Sequence, residues 1–311
     1  MSGNHVTIGI LAVVATVVWL GVRYSRAPKR ARLPARGWVG LAAILAAEVL
    51  LCMKTPVVTV FFTPIAWTGY LLLVDGLVES LRGDSRWSRA PGAFLALAFW
   101  SVPLWLIFEA YNLRLANWGY AGLPQSLLVR ALGYAWSFAT IWPAIFETAD
   151  LLEALGLFAP QGKRRLVFSA RGRAVLFLVG LVFLAVPVSV PVRLGQYLFG
   201  LVWVGFVLLL DPISYRWHGR SLLREWEEGR TGTSYRYLLA GMVCGLLWEF
   251  WNFWAAARWV YVFPIMRAWK IFEMPAPGYL GFPVFALECL VMYEFLRCLR
   301  LRWQAGGRLG G

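Results

Sequence analysis

Histidine, cysteine and charge are all scarce in this chain. Two histidines occur in 311 residues, His5 near the N-terminus and His218 in a basic stretch. That leaves next to no room for a haem held by paired intramembrane histidines or for a His-rich zinc site. The four cysteines, Cys52, Cys244, Cys289 and Cys298, show no Cys-x-x-Cys spacing and lie in or beside apolar segments. They read as small apolar side chains, neither a disulfide framework nor metal ligands. No metal and no cofactor is expected. Charged residues are 15% of the chain against 60% hydrophobic ones. A soluble domain of this length needs far more charge to cover its surface, so the class is an all-α, polytopic membrane protein.

The charge that is present is lopsided, with 30 Lys and Arg against 16 Asp and Glu. Nucleic acid is not the expected partner, because the basic residues sit in short loops between apolar segments, where topology determinants belong. Membrane lipids are, through their anionic head groups. Hydropathy and breakers place about nine spans near 6–22, 38–53, 57–80, 92–114, 136–157, 173–190, 195–213, 235–257 and 278–298. Loops after the odd-numbered spans, with the C-terminus, hold 23 of the 30 basic residues, and the other side holds Lys54, Arg114, Arg130, Arg193, Arg258, Arg267 and Lys270. The split predicts a multi-pass protein of the cell (inner) membrane, N-terminus outside and C-terminus cytoplasmic. The first segment has no basic stretch before it and Arg23, Arg26, Lys29 and Arg30 after it, which reads as an uncleaved helix. Two outer segments, Leu123 to Trp136 and Phe263 to Pro277, are expected to be short interfacial helices.

An internal duplication is written into the chain. Trp67-x-Gly69-Tyr70 leading to Asp75 is matched by Trp203-x-Gly205-Phe206 leading to Asp211. Phe108-Glu109-Ala-Tyr111-Asn112, Trp118-x-Tyr120, Pro124 and Pro143 leading to Glu147 are matched by Trp248-Glu249-Phe-Trp251-Asn252, Trp259-x-Tyr261, Pro264 and Pro283 leading to Glu288. The units open alike at Arg36-Gly37 and Arg171-Gly172. This predicts two tandem four-helix repeats in the same orientation, residues 36–160 and 161–300. An N-terminal helix and basic loop (1–35) precede them and a cytoplasmic tail (301–311) follows.

Charged groups inside a bilayer are costly and are functional suspects. Four carboxylates are duplicated, Glu109 with Glu249 and Glu147 with Glu288, and these are the candidate catalytic acids and bases. Asn112 and Asn252 lie three residues after a glutamate, on the same helix face, and are candidate substrate-binding groups together with Tyr111, Trp248 and Trp251. The same polar pairs could instead only pin neighbouring helices together. Asp75 and Asp211, at cytoplasmic helix ends, read as structural; Glu48 lacks a counterpart, and Glu273 stands near Lys270. Aromatic faces beside a carboxyl group suit a large apolar ligand or a developing cation.

Trp248-Glu249-Phe-Trp-Asn252, Trp259-x-Tyr261 and Gly281-Phe282-Pro283 leading to Glu288 resemble the repeat of the small membrane-type lycopene cyclases. The resemblance implies a polyene or other isoprenoid ligand and acid-initiated chemistry. The expected function is therefore binding or conversion, by acid-base isomerisation or cyclisation, of a hydrophobic isoprenoid or lipid-like small molecule. A proton- or cation-coupled transporter with the carboxylates between the repeats is the alternative, and a non-catalytic membrane scaffold the third.

Overall fold

A computed structural model describes residues 3–158, 165–262, 264–266 and 268–307. The expected unit boundary at 160/161, Phe263, the basic residues Lys163, Arg164 and Arg267, and the tail from 308 onward lie outside the described residues. The helices are α1 (Gly3–Arg26), α2 (Ala35–Cys52), α3 (Pro56–Arg82), the single turn α4 (Arg86–Arg89), α5 (Pro91–Leu115), α6 (Leu127–Ala139) and α7 (Ile141–Ala154). They continue as α8 (Ala170–Ser189), the turn α9 (Val192–Gly195), α10 (Phe199–Arg216), α11 (Leu222–Glu227), α12 (Gly232–Trp254) and α13 (Gly281–Gly307). The strands are β1 (Trp118–Ala121), β2 (Arg258–Tyr261), β3 (Lys270–Ile271) and β4 (Met274–Pro275).

The protein is nearly all helical. Among the described residues, seven helices are long and apolar enough to cross a membrane: His5–Arg26, Ala35–Cys52, Pro56–Arg82, Pro91–Leu115, Ala170–Ser189, Val192–Arg216 and Ala276–Gln304. Two of the nine expected segments fall outside that set. Helix α12 has the length, 23 residues, but its tryptophans with Glu249 and Asn252 lower its hydropathy. The segment expected at 136–157 is broken at Thr140, between the last four residues of α6 and the whole of α7. Pro143 has no N–H to offer the carbonyl four residues back, so one rung of the helical ladder is missing at the break. Ser101 of α5 accepts the Trp142 N–H at 3.1 Å and donates to the Phe138 carbonyl, supplying partners to both sides of the break.

The segment expected as a second interfacial helix is instead the β3–β4 hairpin, followed by a 3-10 turn over Ala276–Leu280. Its two-residue turn holds Phe272 at a positive φ of 55°, and the Phe272 ring fills the space beside Gly9 of α1. The first expected interfacial segment contains α6, which Ser126 caps by accepting the Val129 N–H at 3.4 Å.

Helices pack in matching pairs, α2 on α3 and α8 on α10, then α3 on α7 and α10 on α13. Glycine sets both first contacts. A Cβ at Gly40 would lie 2.5 Å from the Gly69 carbonyl oxygen, and one at Gly180 would lie 2.5 Å from the Leu209 nitrogen. Small residues at such crossings let the backbones touch, and the obstacle here is backbone that cannot swing aside. Gly180→Leu is therefore expected to separate α8 from α10 at an overpacking cost of about 1–3 kcal/mol. In detergent, the melting temperature should fall by several degrees; an unchanged value would refute the contact.

Candidate functional site

The site starts from two asparagines. At the end of α5, the Asn112 side-chain oxygen accepts the backbone N–H groups of Asn117 (2.8 Å) and Trp118 (3.1 Å), while its amide donates to the Trp118 carbonyl at 2.8 Å. At the end of α12, Asn252 accepts from the Trp259 N–H at 2.9 Å and donates to the Trp259 carbonyl at 2.9 Å. Each asparagine thus acts as a piece of backbone and fixes the start of a strand. The strands then pair antiparallel, Trp118 opposite Tyr261 and Tyr120 opposite Trp259. Gly122, at φ 65°, ends β1 where a Cβ would sit 2.0 Å from the Ala256 carbonyl oxygen, so only glycine lets the chain pass.

Alternate strand residues share a face, so this pairing groups two Trp and two Tyr, and each set is tied to a glutamate. Glu109 Oε1 accepts from Tyr120 Oη (2.5 Å), Trp105 Nε1 (2.9 Å) and Trp118 Nε1 (3.2 Å). Glu249 Oε1 accepts from Tyr261 Oη (2.8 Å) and Trp259 Nε1 (3.3 Å). Burial and the Glu109 carboxylate beside it push the Tyr120 phenol above its ordinary range, and burial with Glu249 does the same to Tyr261. Both phenols therefore keep their protons and donate. The halves differ where Gly245 stands at the position matching Trp105. The Phe282 ring occupies the space next to Gly245, and Glu249 is fully buried whereas Glu109 is half-buried.

These rings wall a cavity of about 340 Å³, within the range of small-molecule pockets. Its lining is dominated by aromatics: Trp105, Trp118, Tyr120 and Tyr134 from the first half of the chain, Trp203, Trp248, Trp259, Tyr261, Phe282 and Phe285 from the second, with Trp67 and Phe108 also contributing. The carboxylates are not on its surface. Glu109 and Glu249 stand one layer behind, each reaching the cavity through a tyrosine and tryptophans.

Comparison with protein-family models, with curated proteins and with solved structures yields no match.

The remaining residues singled out by the sequence are spread more widely. Trp248 lines the cavity, but Trp251 does not; its indole donates to Glu48 of α2 at 2.9 Å. Tyr111 donates to the Leu184 carbonyl at 3.1 Å. Glu147 is fully buried 3.9 Å from the Arg86 guanidinium, which pairs more closely with Asp150 at 2.7 Å. Glu288 is also fully buried, and neither of its oxygens has a hydrogen-bond partner among the described residues. Glu273 pairs with Lys270 at 3.5 Å.

Asp75 and Asp211 each hold a loop, accepting from the serine ten residues on, Ser85 (3.0 Å) and Ser221 (2.9 Å), and from backbone N–H groups just beyond. Among the described residues, no group of three or more His, Cys, Asp and Glu side chains is gathered as a metal site needs. Sequence reasoning did not single out Trp105, Tyr134, Trp203, Phe285, Arg130 and Arg258 as site residues. The recurrence of Trp67 and Trp203 in matching motifs was a usable signal, since both line the cavity.

Proposed function

We propose that this chain is a two-repeat membrane protein that binds a hydrophobic isoprenoid or lipid-like molecule and isomerises or cyclises it by acid-base chemistry. The observation that carries the reading is the aromatic cavity backed by two glutamates. Aromatic walls pack a large apolar ligand and stabilise a cation formed on it. Tyr120 and Tyr261 each stand between the cavity and a glutamate. A proton carried by the glutamic acid form can therefore be relayed through the phenol to the ligand, and one taken from the ligand returned to the carboxylate by the same route, the phenol staying neutral. Protonation at one carbon and loss of a proton from another leaves no net change, as isomerisation or cyclisation requires. The resemblance to membrane-type lycopene cyclases points the same way. Lipid extraction of the purified protein followed by mass spectrometry tests it: an isoprenoid or other lipid should be retained in stoichiometric amount, and an empty protein refutes the binding.

The repeat layout is supported by the strand register, which is unchanged when Trp118 is exchanged for Trp259 and Tyr120 for Tyr261. That is the symmetry of a two-fold axis through the strand pair, as expected for like-oriented copies related about the membrane normal. Nine crossings follow if α12 spans and if α6 and α7 together make the fifth. The distribution of basic residues then puts the N-terminus outside and the C-terminus in the cytoplasm of a cell membrane. In intact cells, a cysteine introduced beside Arg114 should be labelled from outside while one beside Arg224 stays protected; labelling at Arg224 would overturn the nine-crossing topology.

A second reading, proton- or cation-coupled transport, is favoured by Glu288, a buried carboxyl group with unbonded oxygens among the described residues. If it holds, proteoliposomes of the wild type should carry a proton flux, read by an enclosed pH dye, that Glu288→Gln abolishes. Neither bound lipid nor flux would leave the scaffold reading, in which Asn112 and Asn252 only pin the fold.

A further inference from the structure

We infer that the ligand of this cavity carries an anionic head, a phosphate or carboxylate, held by Arg130 and Arg258. The inference rests on the reading of the cavity as a binding site for a lipid-like molecule and adds what its polar end must be. Most of the lining is apolar, yet two arginines belong to it, one from α6 and one from β2. Neither forms an ion pair among the described residues.

Their hydrogen bonds leave most of the donors open. Arg130 spends Nε (3.1 Å) and one terminal nitrogen (2.9 Å) on the Pro124 carbonyl, and Arg258 spends one terminal nitrogen on the Phe253 carbonyl at 3.2 Å. A guanidinium has five N–H donors in a rigid fork that fits a carboxylate or phosphate bidentately. The backbone carbonyls therefore aim the two groups without neutralising them.

The placement also gives the ligand a direction. Val129, next to Arg130, is 37% exposed and Tyr197 is 53% exposed, whereas Trp67 and Phe108 are each 1% exposed. The cavity thus runs from an open end, where Arg130 stands, to an enclosed aromatic end. A molecule with a charged head and an apolar tail matches that gradient, and a bare hydrocarbon leaves the two charges idle. Among the described residues neither Glu109 nor Glu249 forms an ion pair with either arginine, and Glu109 Oε1 is taken up by Tyr120, Trp105 and Trp118.

The test compares farnesyl phosphate, farnesol and inorganic phosphate on the full-length protein in detergent, with binding followed by quenching of tryptophan fluorescence. Farnesyl phosphate should bind on the order of ten- to a hundredfold more tightly than farnesol, since hydrogen bonds to charged groups are the stronger kind. The advantage should shrink as salt rises. Arg130→Gln with Arg258→Gln should bring the phosphate down to the level of the alcohol and leave the alcohol unchanged. Arg130→Lys with Arg258→Lys, which keeps both charges, checks that the loss is not one of folding. Equal affinity for phosphate and alcohol in the wild type overturns the anionic head while leaving the apolar pocket standing. Inorganic phosphate binding as tightly as farnesyl phosphate also overturns it, because the site then holds a free anion and not a lipid head. No binding of either farnesyl compound refutes the cavity as a lipid site altogether.

Discussion

Glu249→Ala is expected to lose almost all of any lipid that co-purifies with this protein, while Glu109→Ala loses only part of it. Glu249 is fully buried and its Oε1 is the acceptor for Tyr261 and Trp259, two walls of the cavity. Alanine takes the Glu249 acceptor away from both donors, at about 1–3 kcal/mol for the Tyr261 hydroxyl, whereas Trp259 Nε1 still has Tyr261 Oη at 3.0 Å. It also frees the two rings to turn into the space the ligand needs. Glu109 is half-buried, so water can reach the donors it abandons and the walls move less. Glu249→Gln separates shape from chemistry, because its carbonyl still accepts both bonds but the side chain cannot supply a proton. The glutamine variant should keep its melting temperature and its bound lipid, and should lose conversion of that lipid. The measurements are lipid per protein by mass spectrometry beside thermal unfolding for all three variants. A Glu249→Ala protein that melts earlier yet stays fully loaded would show that the carboxylate only supports the fold.

The pairs of residues that organise this site were legible in the sequence, but their partners were not. Glu109 with Asn112, and Glu249 with Asn252, stood out because intramembrane polar groups are rare and these recur at a constant spacing. Their work is done on Trp118, Tyr120, Trp259 and Tyr261, which the same motifs contain. What stayed hidden is that these aromatics lie on strands. Four residues of β1 pair with four of β2, far along the chain, and nothing local in Trp-x-Tyr distinguishes a strand from an interfacial belt. The expectation for the asparagines illustrates the consequence. The motif marks each as a candidate substrate-binding group, and in the structure its amide is taken up by the strand backbone.

Helix count was limited by a different cause. Hydropathy runs the end of α6 into α7 and divides α6 at Trp136, because Pro143 is a single residue in a long window while the break depends on Ser101 from another helix. The apolar content of the cavity wall was likewise visible only as abundance. A tryptophan facing lipid and one facing a pocket look the same in sequence, so nothing local marks Trp105 and Trp203 as cavity wall or Trp251 as the partner of Glu48.

Removing the Asp211 side chain is expected to be the most destabilising single change in the two loops that Asp75 and Asp211 hold. Asp211 is 3% exposed and accepts from Ser221 Oγ (2.9 Å) and from the backbone N–H groups of Leu222 (2.8 Å) and Leu223 (2.9 Å). Those two N–H groups belong to the first turn of α11, where no helical carbonyl is available to them. Alanine leaves three buried donors to find other partners, which costs about 3 kcal/mol or more in total. Asp75 makes a similar set of bonds, to Ser85 and to the Trp87 N–H at 3.0 Å, and adds an ion pair with Arg36 at 2.6 Å. When Asp75 is removed, Arg36 still keeps its pair with Glu79, and Ser85 can still donate to that same carboxylate at 3.4 Å. Asp75→Ala should therefore cost less than Asp211→Ala, even though the pair with Arg36 makes Asp75 look the more important of the two. Thermal unfolding in detergent, together with protease cleavage within 217–230, reads both effects. The cleavage should rise sharply for Asp211→Ala and stay near the wild-type rate for Asp75→Ala. Equal melting temperatures for the two variants would mean that the Glu79 pairing is no substitute, and that the bonds to Asp75 and Asp211 carry the same weight.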